Sequence, residues 1–300
     1  MAGNTGEVVK ALVVNAVIAT AKGVAAGITG SGAMLAETLH SFSDCGNQLL
    51  LLLGIKQSKR PADDKFPLGY GRAMYFWSFI VALLLFSSGG VFSIYEGIHK
   101  LEHPEPVGDI TIAIVIIGIS ILLEGWSTLG NLRVMNQRRG ATPFLRYLRD
   151  SKDSDLVVVF GENSAAVLGL VLALAAIVLA KVTNDGRFDA LGSLAIGIVL
   201  VGVAIFLARE IKGLLVGEAA DSALIAQVEA AAREDQRILK VLRVVTVQQG
   251  PGEVMVACKL QFADDMKSGD LVTAINEFEE RMQRQVPEVK WSFVEPDFEA

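Results

Sequence analysis

Three polar side chains lie in an otherwise apolar stretch near the start of the sequence. The segment AETLHSFSDCGNQLLLLLG, residues 36–54, carries His40, Asp44 and Asn47. On a helix, His40 and Asp44 lie one turn apart on the same face, and Asn47 continues that face for another turn. An imidazole nitrogen and a carboxylate oxygen at this spacing can ligate one metal ion. Zn²⁺ normally takes four ligands, so the others must come from another segment.

A second polar pair, Glu162 and Asn163, interrupts the apolar segment VVVFGENSAAVLGL. The Glu162 carboxylate would supply a third ligand, and the fourth would be Asn163, Asn47 or water. A site built from histidine and carboxylates can release its metal, whereas a closed cysteine site holds it tightly. The spacing alone leaves a second interpretation open, in which these groups form a polar network that joins membrane helices.

The segments that carry these residues are typical of membrane spans. The chain of 300 residues is 52% hydrophobic and only 20% charged, and its apolar residues are grouped in long runs. The net charge of -6 argues against a nucleic-acid partner. No nucleophile–base set or phosphate-binding loop is apparent, so we do not expect an enzyme. We predict six spans, at roughly 8–28, 31–56, 73–98, 108–133, 155–181 and 188–211.

The loops between the spans predict an orientation. Lys and Arg are concentrated between spans two and three, between spans four and five, and after span six. By the positive-inside rule, both termini are then cytoplasmic. The start of the chain lacks the pattern of a cleavable signal, so the first span would act as a signal anchor. We expect a multi-pass integral membrane protein, in a bacterial inner (plasma) membrane.

The composition changes after about Gly213. Charged residues are spread throughout this tail, and its patterns predict the order helix, strand, strand, helix, strand, with Ser268 as the N-cap of the second helix. The sequence therefore predicts two domains: a transmembrane domain of six helices over 1–212, and a small cytoplasmic α+β domain over 213–300. Helices would cover one face of a short antiparallel sheet.

Several ordered motifs resemble the cation diffusion facilitator family over nearly the whole chain. HSFSDCGNQ is similar to the HxxxDxxNQ signature of the family's second transmembrane helix. FPLGYGR (66–72) and HPEPVGD (103–109) resemble the loops after that helix and before the fourth. GENSAAVLGL (161–170) is like the Glu-Asp-x-Ala-Ala-x-x-Gly of a branch that includes a eukaryotic organellar zinc transporter. FDALGSLAIGIVL (188–200) and LLVGEAAD (214–221) resemble the start of helix six and of the cytoplasmic domain.

The resemblance implies a homodimeric divalent-metal/proton antiporter with a ferredoxin-like, metallochaperone-like cytoplasmic domain. Its metal site would lie between helices two and five, with His40 and Asp44 as the helix-two ligands and Glu162 as the helix-five acid. Asn163 stands where that branch has Asp, which lowers the negative charge of the site by one. Many members have two ligands four apart in helix five, but Val159 cannot coordinate a metal.

Other positions depart from the family pattern. Phe66 replaces a histidine that serves as a ligand in some members, and Gln248 and Gln249 stand where related domains often carry histidine. The predicted cytoplasmic domain contains no histidine at all. We therefore expect this domain to serve dimerisation and to bind metal weakly or not at all.

The resemblance also implies an ion pair formed by Arg72. The basic residue at Arg72 matches a position that pairs, in the family, with an acid near the end of helix six. Glu210 and Glu218 are the candidate partners. A place in the positive-inside pattern is an equally good interpretation of Arg72.

Taken together, these features predict export of a divalent cation, most simply Zn²⁺, from the cytoplasm in exchange for protons. Histidine with carboxylates suits zinc, whereas sites of carboxylates alone favour harder ions such as Mn²⁺. His40 and Asp44 would couple metal release to protons, since ligation requires their deprotonated forms. The metal is the transported substrate, and no organic cofactor is expected. The alternatives are Mn²⁺, Fe²⁺, Co²⁺ or Cd²⁺ at the same site, or a non-transporting scaffold subunit of the same fold.

Overall fold

The computed structural model describes residues 5–104, 110–151 and 154–298. Most of the predicted loop HPEPVGD, at residues 105–109, lies outside that part of the chain. The chain divides into two compact units. The first consists of Met1–Gly54, Trp77–Arg149 and Ser154–Ile211, and the second of Ile55–Phe76, Asp150–Asp153 and Lys212–Ala300.

Long helices make up the first unit. They are α1 (Thr5–Thr29), α2 (Gly32–Ser58), α3 (Ala73–Leu84), α4 (Phe92–Glu102), α5 (Thr111–Arg139), α7 (Ser154–Thr183) and α8 (Arg187–Val216). A π-helical segment, Leu85–Val91, joins α3 to α4 without interrupting the helix. The short helix α6 (Phe144–Asp150) was not predicted, because seven residues are too few to show a clear apolar period.

Within the described residues, four helical segments are long and apolar enough to cross a membrane. They are Ala73–Glu102, Thr111–Arg139, Leu156–Thr183 and Arg187–Val216. Helices α1 and α2, with 25 and 27 residues, have the length of a span. Neither is among the four segments above, so the full set of six spans stays a prediction.

Helix α4 and the π-helical segment pack closely against α8 through glycines. A β-carbon placed on Gly197 would lie 2.8 Å from the backbone nitrogen of Ile94 and 2.9 Å from the carbonyl oxygen of Gly90. One on Gly97 would lie 2.8 Å from the backbone nitrogen of Leu194. Small residues of this kind allow two membrane helices to approach until their backbones touch.

The start of α2 is fixed by an acid on α8. The Asp189 carboxylate accepts a hydrogen bond from the Ser31 hydroxyl and another, at 2.6 Å, from the Gly32 backbone N–H. Gly30 has a φ of +65°, which glycine adopts without strain, and this lets the chain reverse between α1 and α2. The chain therefore reverses in a short turn, and Asp189 holds in place the helix that carries His40 and Asp44.

The second unit contains a three-stranded sheet with two helices. Its elements are α9 (Ser222–Arg233), β1 (Ile238–Gly250), β2 (Glu253–Phe262), α10 (Ser268–Gln285) and β3 (Val289–Pro296). The order of elements is the predicted one. The prediction of an antiparallel sheet is wrong for one pair, because β2 runs antiparallel to β1 but parallel to β3. Helix α10 forms the crossover connection that a parallel pair requires.

One face of this sheet forms the core of the second unit. Alternate residues of β2 are buried, among them Val256 and Cys258, and they pack with Val228 of α9 and Phe278 of α10. Burial raises the pKa of the Cys258 thiol to about 12, which keeps it protonated and apolar in character.

The two helices of this unit begin differently. The Asp221 carboxylate caps α9 by accepting a hydrogen bond from the Ala223 N–H at 2.9 Å. The predicted N-cap at Ser268 is wrong, because α10 already includes that residue. Lys267 occupies the cap position and makes no side-chain capping bond there.

The loop FPLGYGR belongs to the second unit and packs against the β1–β2 turn. A β-carbon on Gly71 would lie 2.6 Å from the carbonyl oxygen of Gln249, so only glycine fits this approach. The Asp63 carboxylate accepts hydrogen bonds from the Tyr70 hydroxyl at 2.7 Å and from the Phe66 N–H at 2.8 Å. These bonds lower the pKa of Asp63 and close the loop as a turn.

Candidate functional site

A polar stripe runs along the buried face of α2. Its members recur every three or four residues, as one face of a helix requires, with His40 and Ser41 adjacent at one of the turns: Glu37, His40, Ser41, Asp44 and Asn47. Glu37, His40 and Asn47 are fully buried. The His40 Nδ1 atom lies 3.5 Å from Asp44 Oδ1, too far for a good hydrogen bond. The predicted His40–Asp44 pair therefore lies on the inward face of α2, where the Asp44 side chain is 19% exposed.

Helix α7 brings Glu162 to this stripe. The Glu162 side chain is buried, and its Oε1 atom accepts a hydrogen bond from the Asn47 side-chain amide at 2.6 Å. The carboxylates of Asp44 and Glu162 are close enough to interact electrostatically. The two predicted halves, one on α2 and one on α7, thus face each other in the structure.

Asn163 is turned towards a different helix. Its side-chain amide donates a hydrogen bond of 3.0 Å to the Ser127 hydroxyl of α5. Successive residues of an α-helix are separated by about 100° around the axis, so Glu162 and Asn163 cannot both face α2 directly. The structure joins Glu162 to the stripe and joins Asn163 to α5.

Several polar atoms of the stripe are buried without a hydrogen-bond partner. Among the described residues, these include both imidazole nitrogens of His40, Asp44 Oδ1 and Asn47 Oδ1. Leaving such atoms unpaired costs free energy, so a native protein keeps few of them. Within the residues that the structure describes, no three His, Cys, Asp or Glu side chains lie close enough to form a ready-made metal site. The groups are available for a ligand, but a metal ion would have to draw them together.

A buried cation lies next to the stripe, and reasoning from the sequence missed it. The Lys22 ammonium of α1 donates to Ser41 Oγ at 2.8 Å and forms ion pairs with Glu37 at 3.3 Å and with Glu124 of α5 at 3.0 Å. The Lys22 side chain is fully buried. The available signal was a lysine within the apolar run of span one and a glutamate one turn before His40, since charged residues in membrane segments are rare.

Arg72 and the histidines at the end of α4 lie outside the polar stripe. The Arg72 guanidinium lies against Gly217, where an added β-carbon would be 3.2 Å from Arg72 Nη2. Glu218 follows directly in the chain, and the pairing of Arg72 with Glu218 or Glu210 stays a prediction. The ring centroids of His99, on α4, and His103, its C-cap residue, lie 5.3 Å apart.

Comparison with known proteins points to one family. The family model of the cation efflux transmembrane domain matches residues 8–216. The chain is 32% identical over 269 residues to a mouse protein described as proton-coupled zinc antiporter SLC30A9, mitochondrial, a match that covers 87% of this chain and 46% of that protein. The Xenopus laevis protein of the same name is 32% identical over 237 residues, covering 78% of this chain and 42% of that protein. Metal tolerance protein C4 of Arabidopsis thaliana is 31% identical over 242 residues, covering 79% of this chain and 52% of that protein. The chain therefore spans about half the length of these relatives.

Proposed function

The chain belongs to the cation efflux (cation diffusion facilitator) family and is an integral membrane protein, and we propose that it exports a divalent metal ion, most simply Zn²⁺, in exchange for protons. Relatives that are named as proton-coupled zinc antiporters support this proposal. The observation that carries it is the pair of buried His40 and partly buried Asp44 on α2, with Glu162 on α7 nearby. Neither imidazole nitrogen of His40 has a hydrogen-bond partner among the described residues.

In this proposal the metal ion draws the two halves together. His40 and Asp44 ligate it from α2, and Glu162 ligates it from α7 after giving up the hydrogen bond from Asn47. Asn47 Oδ1 is without a hydrogen-bond partner within the described chain and is a candidate for a fourth ligand, together with water. A nitrogen ligand with two carboxylates suits Zn²⁺ and leaves room for Mn²⁺, Fe²⁺, Co²⁺ or Cd²⁺.

Proton coupling follows from competition for the same lone pairs. A metal ion binds the neutral imidazole and the ionised carboxylate, so protons that reach His40 and Asp44 displace it. The helical faces that hold the site are packed, and small relative movements of α2 and α7 would open it to either side of the membrane in turn. The ion and the protons would thereby move in opposite directions.

The rest of the proposed architecture follows the family. It has six spans, both termini in the cytoplasm and a ferredoxin-like domain formed by the C-terminal tail. A bacterial inner membrane remains our expectation for its location, whereas the animal relatives are described as mitochondrial. Homodimerisation is supported by an apolar row that crosses one face of the sheet, formed by exposed Val245 and Phe293 with the partly buried Ala257 between them.

Transport can be tested in proteoliposomes that carry a proton gradient. The wild type should move Zn²⁺ in the direction opposite to the flow of protons. His40→Ala and Asp44→Ala should each abolish this Zn²⁺ flux. His103→Ala is the matched control, because it removes a histidine at the C-cap of α4 that is not part of the proposed site. Repeating the assay with Mn²⁺, Fe²⁺, Co²⁺ and Cd²⁺ gives the ion preference. If both site variants keep wild-type flux, the site assignment is wrong.

A scaffold subunit that does not transport is the second candidate. It is favoured by one observation: the described residues contain no preassembled group of three metal ligands. Calorimetric titration of the purified protein with Zn²⁺ separates the two functions. Binding that is lost in His40→Ala supports the transporter, and a silent titration supports the scaffold.

A further inference from the structure

The Lys22 ammonium occupies a complete cage of oxygen atoms. Ser41 and Glu37 contribute from α2, and Glu124 contributes from α5, at distances between 2.8 and 3.3 Å. The side chains of Lys22 and Glu37 have no exposed surface, and that of Glu124 is 19% exposed. A charge buried this deeply is costly unless it is paired, so the three helices hold the ammonium at a fixed place.

This ammonium is adjacent to the proposed transport site. Ser41, which it contacts, directly follows His40 in α2, and Glu37 lies on the same helical face one turn earlier. The charge of Lys22 acts on both His40 and Asp44. Because the interior of a membrane protein screens charges weakly, a fixed positive charge here opposes any cation that enters the site.

An ammonium only donates hydrogen bonds and cannot ligate a metal. Lys22 must therefore act on the metal through its charge. The surrounding acids, Glu37, Asp44, Glu124 and Glu162, would otherwise present four carboxylates to a divalent ion with no fixed positive charge among them. A transport site has to bind its ion weakly enough to let it leave.

We propose that Lys22 is a built-in counter-charge that weakens metal binding at the neighbouring site and so permits release of the transported ion. This role rests on the proposed transport function and adds a residue that sets the affinity without touching the metal. Lys22 acts on the metal through its charge alone, and Glu37 and Glu124 hold its ammonium in place.

The direct test is the dissociation constant for Zn²⁺ of the full-length purified protein, measured by calorimetry at fixed pH. Lys22→Met keeps much of the side-chain length and removes the charge. At about 10 Å from a divalent ion and an effective dielectric constant near 20, one unit charge corresponds to more than 100-fold in affinity. Since the neighbouring acids offset part of this, we expect at least about ten-fold tighter binding in Lys22→Met, with a lower KM and a slower maximal flux. Lys22→Arg keeps the charge and should stay near the wild type.

A charge-balanced variant separates an electrostatic role from a structural one. Lys22→Met combined with Glu124→Gln removes one positive and one negative charge, so its dissociation constant should return towards the wild-type value. A purely structural role predicts that the double variant binds no better than either single one. If Lys22→Met alone does not fold, the double variant should still bind Zn²⁺ more tightly than Glu124→Gln does.

The outcomes distinguish this inference from the function on which it rests. If the wild type and Lys22→Met both bind no Zn²⁺, the proposed transport function fails and the role of Lys22 fails with it. If the wild type binds Zn²⁺ and Lys22→Met binds it equally or more weakly, only the role of Lys22 is overturned. Tighter binding in Lys22→Met that is reversed by Glu124→Gln supports the inference.

Discussion

Gly169 of α7 provides the space that the Glu37 carboxylate occupies. A β-carbon at Gly169 would overlap Glu37 Oε1 and would lie 3.3 Å from Glu37 Cδ. Glu37 has little freedom to move away, because it is fully buried and paired with Lys22 at 3.3 Å. Overpacking of a buried site costs about 1–3 kcal/mol. Because the ion pair must also stretch, we expect Gly169→Ala to destabilise the protein by about 2–3 kcal/mol.

The assay is thermal unfolding of the purified protein in detergent, followed by tryptophan fluorescence. Gly118→Ala is the matched control, because an added β-carbon at that helical glycine of α5 meets no atom within 4 Å. The control should be as stable as the wild type or slightly more so. In a Glu37→Ala background the overlapping atoms are gone, and Gly169→Ala should then cost almost nothing. Equal stability of Gly169→Ala and Gly118→Ala would refute the reasoning.

Two further substitutions test one packing contact in the first unit and one ion pair in the second. Gly197→Ala should destabilise the first unit by about 3 kcal/mol or more. Its new β-carbon would lie 2.8 Å from the Ile94 backbone nitrogen, and a backbone atom cannot rotate away as a side chain can. An unchanged unfolding temperature would contradict this. Hydrogen bonds from Arg237, at 2.7 and 2.8 Å, lower the pKa of Asp235 below its unfolded value. Its ionised form therefore stabilises the second unit above about pH 4, and this contribution is lost as the pH falls through the lower folded value. Asp235→Asn should cost about 1–3 kcal/mol at pH 7, and the difference from the wild type should shrink below about pH 4 in unfolding measured by circular dichroism; a constant difference would argue against the pairing.

The helices were predictable from the sequence because their signal is local. Long apolar runs and turn residues predicted α5, α7 and α8 to within a few residues at most ends. The direction of β3 was not predictable in the same way. Its residues favour a strand in either direction, and only the packing of α10 on the sheet makes it parallel to β2.

The site shows the same division between local and tertiary information. His40 and Asp44 could be paired from their spacing, because both stand on one helix. The hydrogen bond between Asn47 and Glu162 depends on how α2 and α7 are packed, and the sequence indicated only that two polar segments exist. Asn163 resembled a ligand through its neighbour Glu162, whereas the helical rotation of about 100° directs it to α5.

The charge network of Lys22 was missed for a related reason. Its three oxygen partners come from α2 and α5, at separations in sequence of 15 to 102 residues. A single lysine in the second half of a span ordinarily extends its ammonium to the membrane surface. Only the packing of the three helices shows that this one ends against the carboxylates of Glu37 and Glu124.

The position of the bound metal ion tests the account most directly. A structure determined with Zn²⁺, or with Cd²⁺ located by its anomalous scattering, should contain an ion about 2.0–2.4 Å from a nitrogen of His40 and from carboxylate oxygens of Asp44 and Glu162. The Lys22 ammonium should remain between Glu37 and Glu124. An ion bound at Glu37 and Glu124 with Lys22 displaced, or no ion at His40 under saturating metal, would contradict the account.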